Sequence, residues 1–252
     1  MLMTPLTPLL AAAISAPLVG FLAWRVRALT VSGAVAAACV GFCHLAFGGW
    51  LAAGALLAFF GTSTALSKLG KRKKETLGFE KSGQRDAWQV LANGGIAALC
   101  AVLDYPEAML GALAAANADT WATELGSLFG GKPRRVTNFT PAEPGESGAI
   151  SLIGTLAALA GAALLGGFAE YWGRGGLFLT VTLAGFVGAL ADSVLGATLQ
   201  AQWRDEKTGR WIEIPQGKPT RGLNWLRNDA VNILATVTGA VTAAWLGDVL
   251  VH

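Results

Sequence analysis

The sequence predicts an all-α, polytopic transmembrane helical bundle of about eight spans, with the N-terminus and the C-terminus both outside. Three observations predict it. Of the 252 residues, 53% are hydrophobic and only 14% charged, where a soluble domain carries about 25% charged residues. The apolar residues also fall in blocks of roughly 20, the length that crosses a ~30 Å hydrocarbon layer as a helix. Finally, the basic residues collect in alternate connections between those blocks, the bias that marks cytoplasmic loops.

In chain order, the expected spans are residues 4–24, 29–48, 50–68, 86–103, 106–129, 147–169, 176–201 and 228–250. The first is a retained span rather than a signal peptide, because MLMTPLTPLL has no basic n-region and Arg25 and Arg27 follow the apolar block. With the N-terminus outside, Arg174 is the one basic residue of 19 that falls in an outer connection. One helix more or fewer would scatter the basic clusters over both sides, so the same bias supports the count. Residues 1–252 thus read as a single membrane domain with cytoplasmic loops at 69–85, 130–146 and 202–227.

The 33 glycines suit a tight bundle, since helices in lipid associate by close packing rather than by a hydrophobic drive. Gly185, Gly188, Asp192, Gly196 and Gln200 share nearly one stripe of the seventh span, which should therefore face protein. Cys39, Cys43 and Cys100 all lie in apolar blocks and form no CxxC pair. Neither a disulfide framework nor a zinc site is indicated, and His44 beside Cys43 reads as a packing residue.

Chemistry enters with the polar residues left inside spans. Asp119 and Glu124 fall in the fifth and Asp192 in the seventh, each at roughly 2.5–3.5 kcal/mol on insertion scales, so such residues face the interior and mark sites or pathways. Amides accompany them: Gln89 and Asn93 in the fourth span, Asn117 in the fifth, Gln200 in the seventh, Asn228 and Asn232, with Asp229 between them, in the eighth. Counting ~1.5 Å per residue puts Asn93, Asp119, Glu124, Asp192 and Asn232 some 6–16 Å below the cytoplasmic surface. Ser147, Ser151 and Thr155 repeat at steps of four in the inner half of the sixth span. The outer half is almost wholly apolar. A transport pathway needs polar groups across the whole thickness, whereas an enzyme acting on a lipid head group needs a pocket open on one face.

Carboxylates with amide oxygens, ringed by basic loops, suit Mg²⁺ held against phosphates. On the fifth span, however, Asn117, Thr120 and Glu124 lie about 140° from Asp119 and Thr123. Either that helix is buried on both sides or it unwinds and ends near Gly126. In the loop 130–147, Lys132, Arg134 and Arg135 precede Pro144, Gly145 and Ser147 at a helix start, a phosphate cradle by charge and backbone N–H groups. Arg85 leads the series Arg85, Gln89, Asn93 into the membrane and is the candidate phosphate-binding guanidinium.

Five ordered blocks then resemble the integral-membrane family labelled domain of unknown function 92, which includes the plant phytyl-phosphate kinases of tocopherol synthesis. They are RDAWQVLANGG at 85–95, NADTWATELG at 117–126, PGESGAISLIGT at 144–155, ADSVLGATLQ at 191–200 and NDAVN at 228–232. The resemblance covers roughly residues 30 to 245; the family's stronger form of the third block has Gly-Thr where this chain has Gly145 and Glu146. It implies phosphoryl transfer from a nucleoside triphosphate, CTP in the related kinases, to an isoprenyl monophosphate. On that reading Asp119, Glu124 and Asp192 hold Mg²⁺, Arg85 and Asn93 bind phosphates, and Asn228 and Asn232 meet nucleotide or acceptor. The expected partners are the isoprenyl monophosphate, the nucleotide and the bilayer, with no nucleic acid, and a homo-oligomer is compatible with the sequence. The site would face the cytoplasm from the plasma (inner) membrane. An ion-coupled transporter and a lipid nucleotidyltransferase are the alternatives, the latter releasing pyrophosphate.

Overall fold

The computed structural model describes residues 6–75, 83–171 and 176–250, and among them the chain is mainly helical. The helices are α1 (Leu6–Arg25), α2 (Val31–Glu75), α3 (Ala87–Val102), α4 (Pro106–Phe129), α5 (Leu152–Tyr171), α6 (Leu177–Thr198) and α7 (Asn228–Leu250). Five of them are long and apolar enough to cross a membrane, counting α2 once. Of the other two, α3 is apolar but has 16 residues, and α4 has 24 but carries Asn117, Asp119 and Glu124.

α2 is not one rod. At Gly49 the backbone leaves the helix at φ 70°, ψ −162°, a conformation open to glycine and costly for residues with a Cβ. A straight helix would hold Thr30 and Ser67 about 55 Å apart at ~1.5 Å per residue. Both instead touch Arg85: the Thr30 backbone N–H donates to its carbonyl at 3.0 Å, and its Nη2 donates to Ser67 Oγ at 3.5 Å. The two halves of α2 therefore run out and back, which matches the sequence boundary between 48 and 50. Each of the eight expected segments corresponds to a helix or half-helix.

Three boundaries differ from expectation; the smallest difference is at α6, which ends at Thr198 rather than 201 and leaves Gln200 just past the helix. α2 continues to Glu75, through the start of the loop expected at 69–85, and residues 76–82 of that loop lie outside the described chain. α5 starts at Leu152, not 147, because Ser151 caps it: its hydroxyl accepts the Gly154 N–H at 3.1 Å. Ser147 and Ser151 thus belong to a loop, and residues 134–135 and 149–150 pair there as the short antiparallel strands β1 and β2. A second pair, β3 (Trp203–Arg204) and β4 (Trp211–Ile212), lies in the 199–227 connection.

α4 is the central post. Every residue from Ala108 to Ala118 is buried, and α2, α3, α5, α6 and α7 all pack on it. Small residues permit this: a Cβ on Gly111 would come within 2.4 Å of both Ala243 Cβ and the Gly239 carbonyl on α7. Gly185 and Gly188 meet Ala114 and Ala115 in the same way, so the stripe on α6 does face protein. An apolar core of Leu110, Leu113, Leu165 and Val181 fills the end of the bundle where α3 ends and α4 begins. Among the described residues, the 26–30 turn meets Arg85 and the 130–151 loop meets the 199–227 connection at the opposite end.

Candidate active site

At that loop end a cavity of about 460 Å³ opens between the ends of α2 and α4 and the starts of α3, α5 and α7, with α6 closing one side. It gathers Arg85, Gln89, Asn93, Asp119, Glu124, Ser147, Ser151, Asp192, Asn228 and Asn232. α4 stays helical through Phe129, so no unwinding is needed to bring its two polar faces to the cavity. The hollow wraps around the helix instead, and this divides the carboxylates between two walls.

On the first wall, Ser67 Oγ donates to Glu124 Oε1 at 2.5 Å. Arg85 donates to the same hydroxyl and lies over the Phe60 ring, 5.9 Å from its centroid. Burial works against the charge of this guanidinium and lowers its pKa, an effect the nearby Glu124 carboxylate partly offsets. Asp86 and Gln89 hold the start of α3 by a capping box: Asp86 Oδ1 accepts the Gln89 N–H at 3.0 Å while Gln89 Oε1 accepts the Asp86 N–H at 3.3 Å. Asn93 Nδ2 donates to the Gln89 carbonyl at 2.9 Å.

On the second wall, Asp119 and Glu213 both lie within electrostatic reach of Asp192. Asp192 Oδ2 is buried with no hydrogen-bond partner among the described residues, a costly state for a carboxylate oxygen unless something binds there. Glu213, from the 199–227 connection, accepts from Ser147 Oγ at 2.9 Å and from Gln200 Nε2 at 3.0 Å. No group of three His, Cys, Asp or Glu close enough to cage a metal occurs among the described residues. Mg²⁺ does not require one, since it is commonly held by one or two carboxylates plus substrate phosphates and water. Asp119 and Asp192 meet that requirement; Glu124, engaged with Ser67 across the cavity, is separate from them.

Six residues singled out in the sequence do not line the cavity, Arg134 among them, its Nη1 donating to the Phe139 carbonyl at 2.7 Å. Asn117 lies beneath it, fully buried, its Nδ2 donating to the Gly161 carbonyl at 2.7 Å and its Oδ1 accepting from Thr62 and Ser63 at 3.3 Å, so it ties α2, α4 and α5 together. Gln200 is buried behind Glu213. Asp229, in the first turn of α7, is outside the lining. Lys132 is exposed at the rim. Arg135 is spent on Glu146, its Nε donating at 2.7 Å, and this bond raises its pKa.

Glu146 explains itself through that contact. Its side chain is fully buried and its Oε1 also accepts from Arg221 at 3.2 Å, while Oε2 accepts the Glu143 N–H at 3.2 Å. Arg221 donates as well to the Ser147 carbonyl and to Gln202, and with Arg204 it sandwiches the Trp211 ring at 4.9 and 4.7 Å. The acid at 146 thus clamps the 144–148 turn to the 199–227 connection. Sequence reasoning missed Ser67 and Glu213 for the cavity, because a polar residue at a helix end or in a loop costs nothing in water and leaves no anomaly to notice.

A family model described as integral membrane protein DUF92 matches residues 14–240. Protein PGR of Arabidopsis thaliana is 31% identical, over 92% of this chain and 93% of its own length. An uncharacterized membrane protein of Methanocaldococcus jannaschii is 34% identical, over 85% of this chain and 84% of its own. The chloroplastic protein VTE6 of Arabidopsis thaliana is 26% identical, over 86% of this chain and 65% of its own. No solved structure matches.

Proposed function

This chain belongs to the DUF92 family of integral membrane proteins, and from that premise we propose that it is a prenyl-monophosphate kinase. It transfers the terminal phosphate of CTP, or another nucleoside triphosphate, to an isoprenyl monophosphate. On this reading the chain crosses eight times, with both termini outside and the cavity at the cytoplasmic face, in keeping with the basic loops. The observation that carries the reading is the division of one polar cavity into a cationic wall at Arg85 and an acidic wall at Asp119 and Asp192.

Phosphoryl transfer needs both walls. An oxygen of the acceptor phosphate attacks the terminal phosphorus of the donor; the new P–O bond forms as the bond to the bridging oxygen breaks, and the nucleoside diphosphate leaves. The acceptor is already anionic near neutral pH, so positioning and charge neutralisation dominate over proton removal. Arg85, with Asn93 beside it, holds the acceptor phosphate. Glu124 and Ser67 fix the guanidinium, and the desolvated setting strengthens its grip. Mg²⁺, when bound by Asp119 and Asp192, neutralises the donor phosphates there. Asn228 and Asn232 donate to nucleotide or acceptor from α7.

The apolar core of Leu110, Leu113, Leu165 and Val181 at the end opposite the cavity argues against the ion-coupled carrier, which needs polar groups across the whole thickness. Purified protein incubated with Mg²⁺, labelled CTP or ATP, and phytyl, geranylgeranyl or farnesyl monophosphate should yield the nucleoside diphosphate and the prenyl diphosphate. Pyrophosphate with a nucleotide-linked lipid would assign a nucleotidyltransferase instead, and no turnover of any acceptor would sink the kinase.

A further inference from the structure

Beside the polar cavity lies a second hollow of about 380 Å³, enclosed by α1, both halves of α2 and the start of α3. Its walls are almost wholly apolar: Val19 on α1, Val40 and Leu45 on the outgoing half of α2, Trp50, Phe59 and Phe60 on the returning half. Ala37, Ala53 and Gly94 leave the space that larger residues would fill. Three residues line both hollows, namely Arg85, Gln89 and Asn93.

That sharing defines the shape of the ligand. A molecule filling both hollows has an anionic head at Arg85 and one apolar chain running away from it toward Gly49. Resting on the kinase reading, we propose that this groove binds the single hydrocarbon tail of the acceptor and sets the chain length the protein accepts. Along α2 the walls extend from Phe60 back to Trp50, about 15 Å, and from Ala37 to Leu45, about 12 Å, at ~1.5 Å per residue, with Leu29 just ahead of the helix. One leaflet of a ~30 Å hydrocarbon layer is about 15 Å deep. The groove therefore takes a chain comparable to one leaflet, such as farnesyl to geranylgeranyl or phytyl, and excludes long polyprenyl chains. Its volume is near the lower end of ligand sites, which run from about 300 to 1,000 Å³, so one chain fits and the paired chains of a phospholipid do not.

Two half-buried alanines grade the groove. Ala37 is about 10 Å from the Thr30 end of α2 and Ala53 about 20 Å from the Ser67 end, at ~1.5 Å per residue, so phenylalanine at each blocks a different depth. Geranyl, farnesyl and geranylgeranyl monophosphates would be titrated calorimetrically into detergent-purified protein without nucleotide, and each acceptor assayed separately for turnover with CTP. Ala53→Phe should weaken geranylgeranyl monophosphate at least tenfold and leave geranyl monophosphate within twofold; Ala37→Phe should extend the loss to farnesyl. Unaltered binding of the geranyl compound also shows that each variant is folded.

Equal losses at all chain lengths, or none, overturn the groove, as does phosphatidic acid competing as well as geranylgeranyl monophosphate. The kinase and the groove fail separately. Graded binding without nucleotide consumption removes the kinase and leaves the groove, while turnover whose chain-length profile ignores both substitutions removes the groove and leaves the kinase.

Discussion

The two halves of α4 solve opposite problems with one continuous helix. From Ala108 to Ala118 it is buried on all sides by alanine, glycine and leucine, and its neighbours approach until backbones touch at Gly111 and Gly239. From Asp119 to Phe129 the same helix borders the cavity, with acids on both of its polar faces. Lipid gives helices no hydrophobic reason to associate, so the packed half must win its stability from close van der Waals packing. That packing then supports polar groups in the hollow half which by themselves oppose association. The bundle is rigid at one end so that it can be hollow at the other.

The largest expected effect tests the hollow end. Asp192→Asn keeps the volume and removes the charge from the acidic wall, where Asp192 Oδ2 is buried and unpartnered among the described residues. Turnover should fall about 10³-fold, or ~4 kcal/mol of transition-state stabilisation, with the thermal midpoint in detergent unchanged or raised. A raised midpoint is expected because neutralising one of three neighbouring acids, Asp119, Asp192 and Glu213, relieves their repulsion. Full activity in this variant, measured as nucleoside diphosphate released, would remove the acidic wall from the reaction.

The next tests the packed end. A side chain at Gly111 meets Ala243 and the Gly239 backbone at 2.4 Å, and backbone cannot yield as a flexible side chain can. Gly111→Val should cost about 3 kcal/mol by overpacking, read as a lower midpoint and reduced folded yield. Protein that does fold should keep its KM for both substrates. If this variant loses KM without losing stability, the two halves are not the separate regions described above.

How much of this was legible beforehand follows the same divide. The helices were legible because hydropathy blocks and the basic loops constrain each other, and the Gly49 reversal because one residue separates two apolar runs. Asp119 and Asp192 were legible because an ionisable group at membrane depth is an anomaly, and Arg85 because it leads Gln89 and Asn93 at helical spacing. Glu213 was not, since an acid in a loop is ordinary in sequence and only the fold carries it to Asp192. Nor was the pairing of Arg135 with Glu146: the basic residue looked like a phosphate ligand because its partner, eleven positions on, comes close only when β1 and β2 pair. Direction around a helix was readable, as the α6 stripe shows, whereas the depth at which packing gives way to the cavity was not, and Asn117 shows the difference.

Asn117 sits one residue below the point where α4 turns from packed to hollow, and it supplies the smallest and most discriminating test. Its amide satisfies a carbonyl on α5 and two hydroxyls on α2, all within the dry region. Asn117→Ala leaves those groups to find other partners; the Thr62 hydroxyl already has one in the Ala58 carbonyl at 2.8 Å, so the loss is partial. A cost of about 2 kcal/mol is expected for removing one side of a buried hydrogen-bonded set, seen as a lower midpoint with kcat and KM both within twofold of the parent. The opposite pattern, a normal midpoint with a raised KM, would mean that ligand reaches past Asp119 into the packed half. The boundary between the two regions would then lie deeper in the bundle, below Asn117.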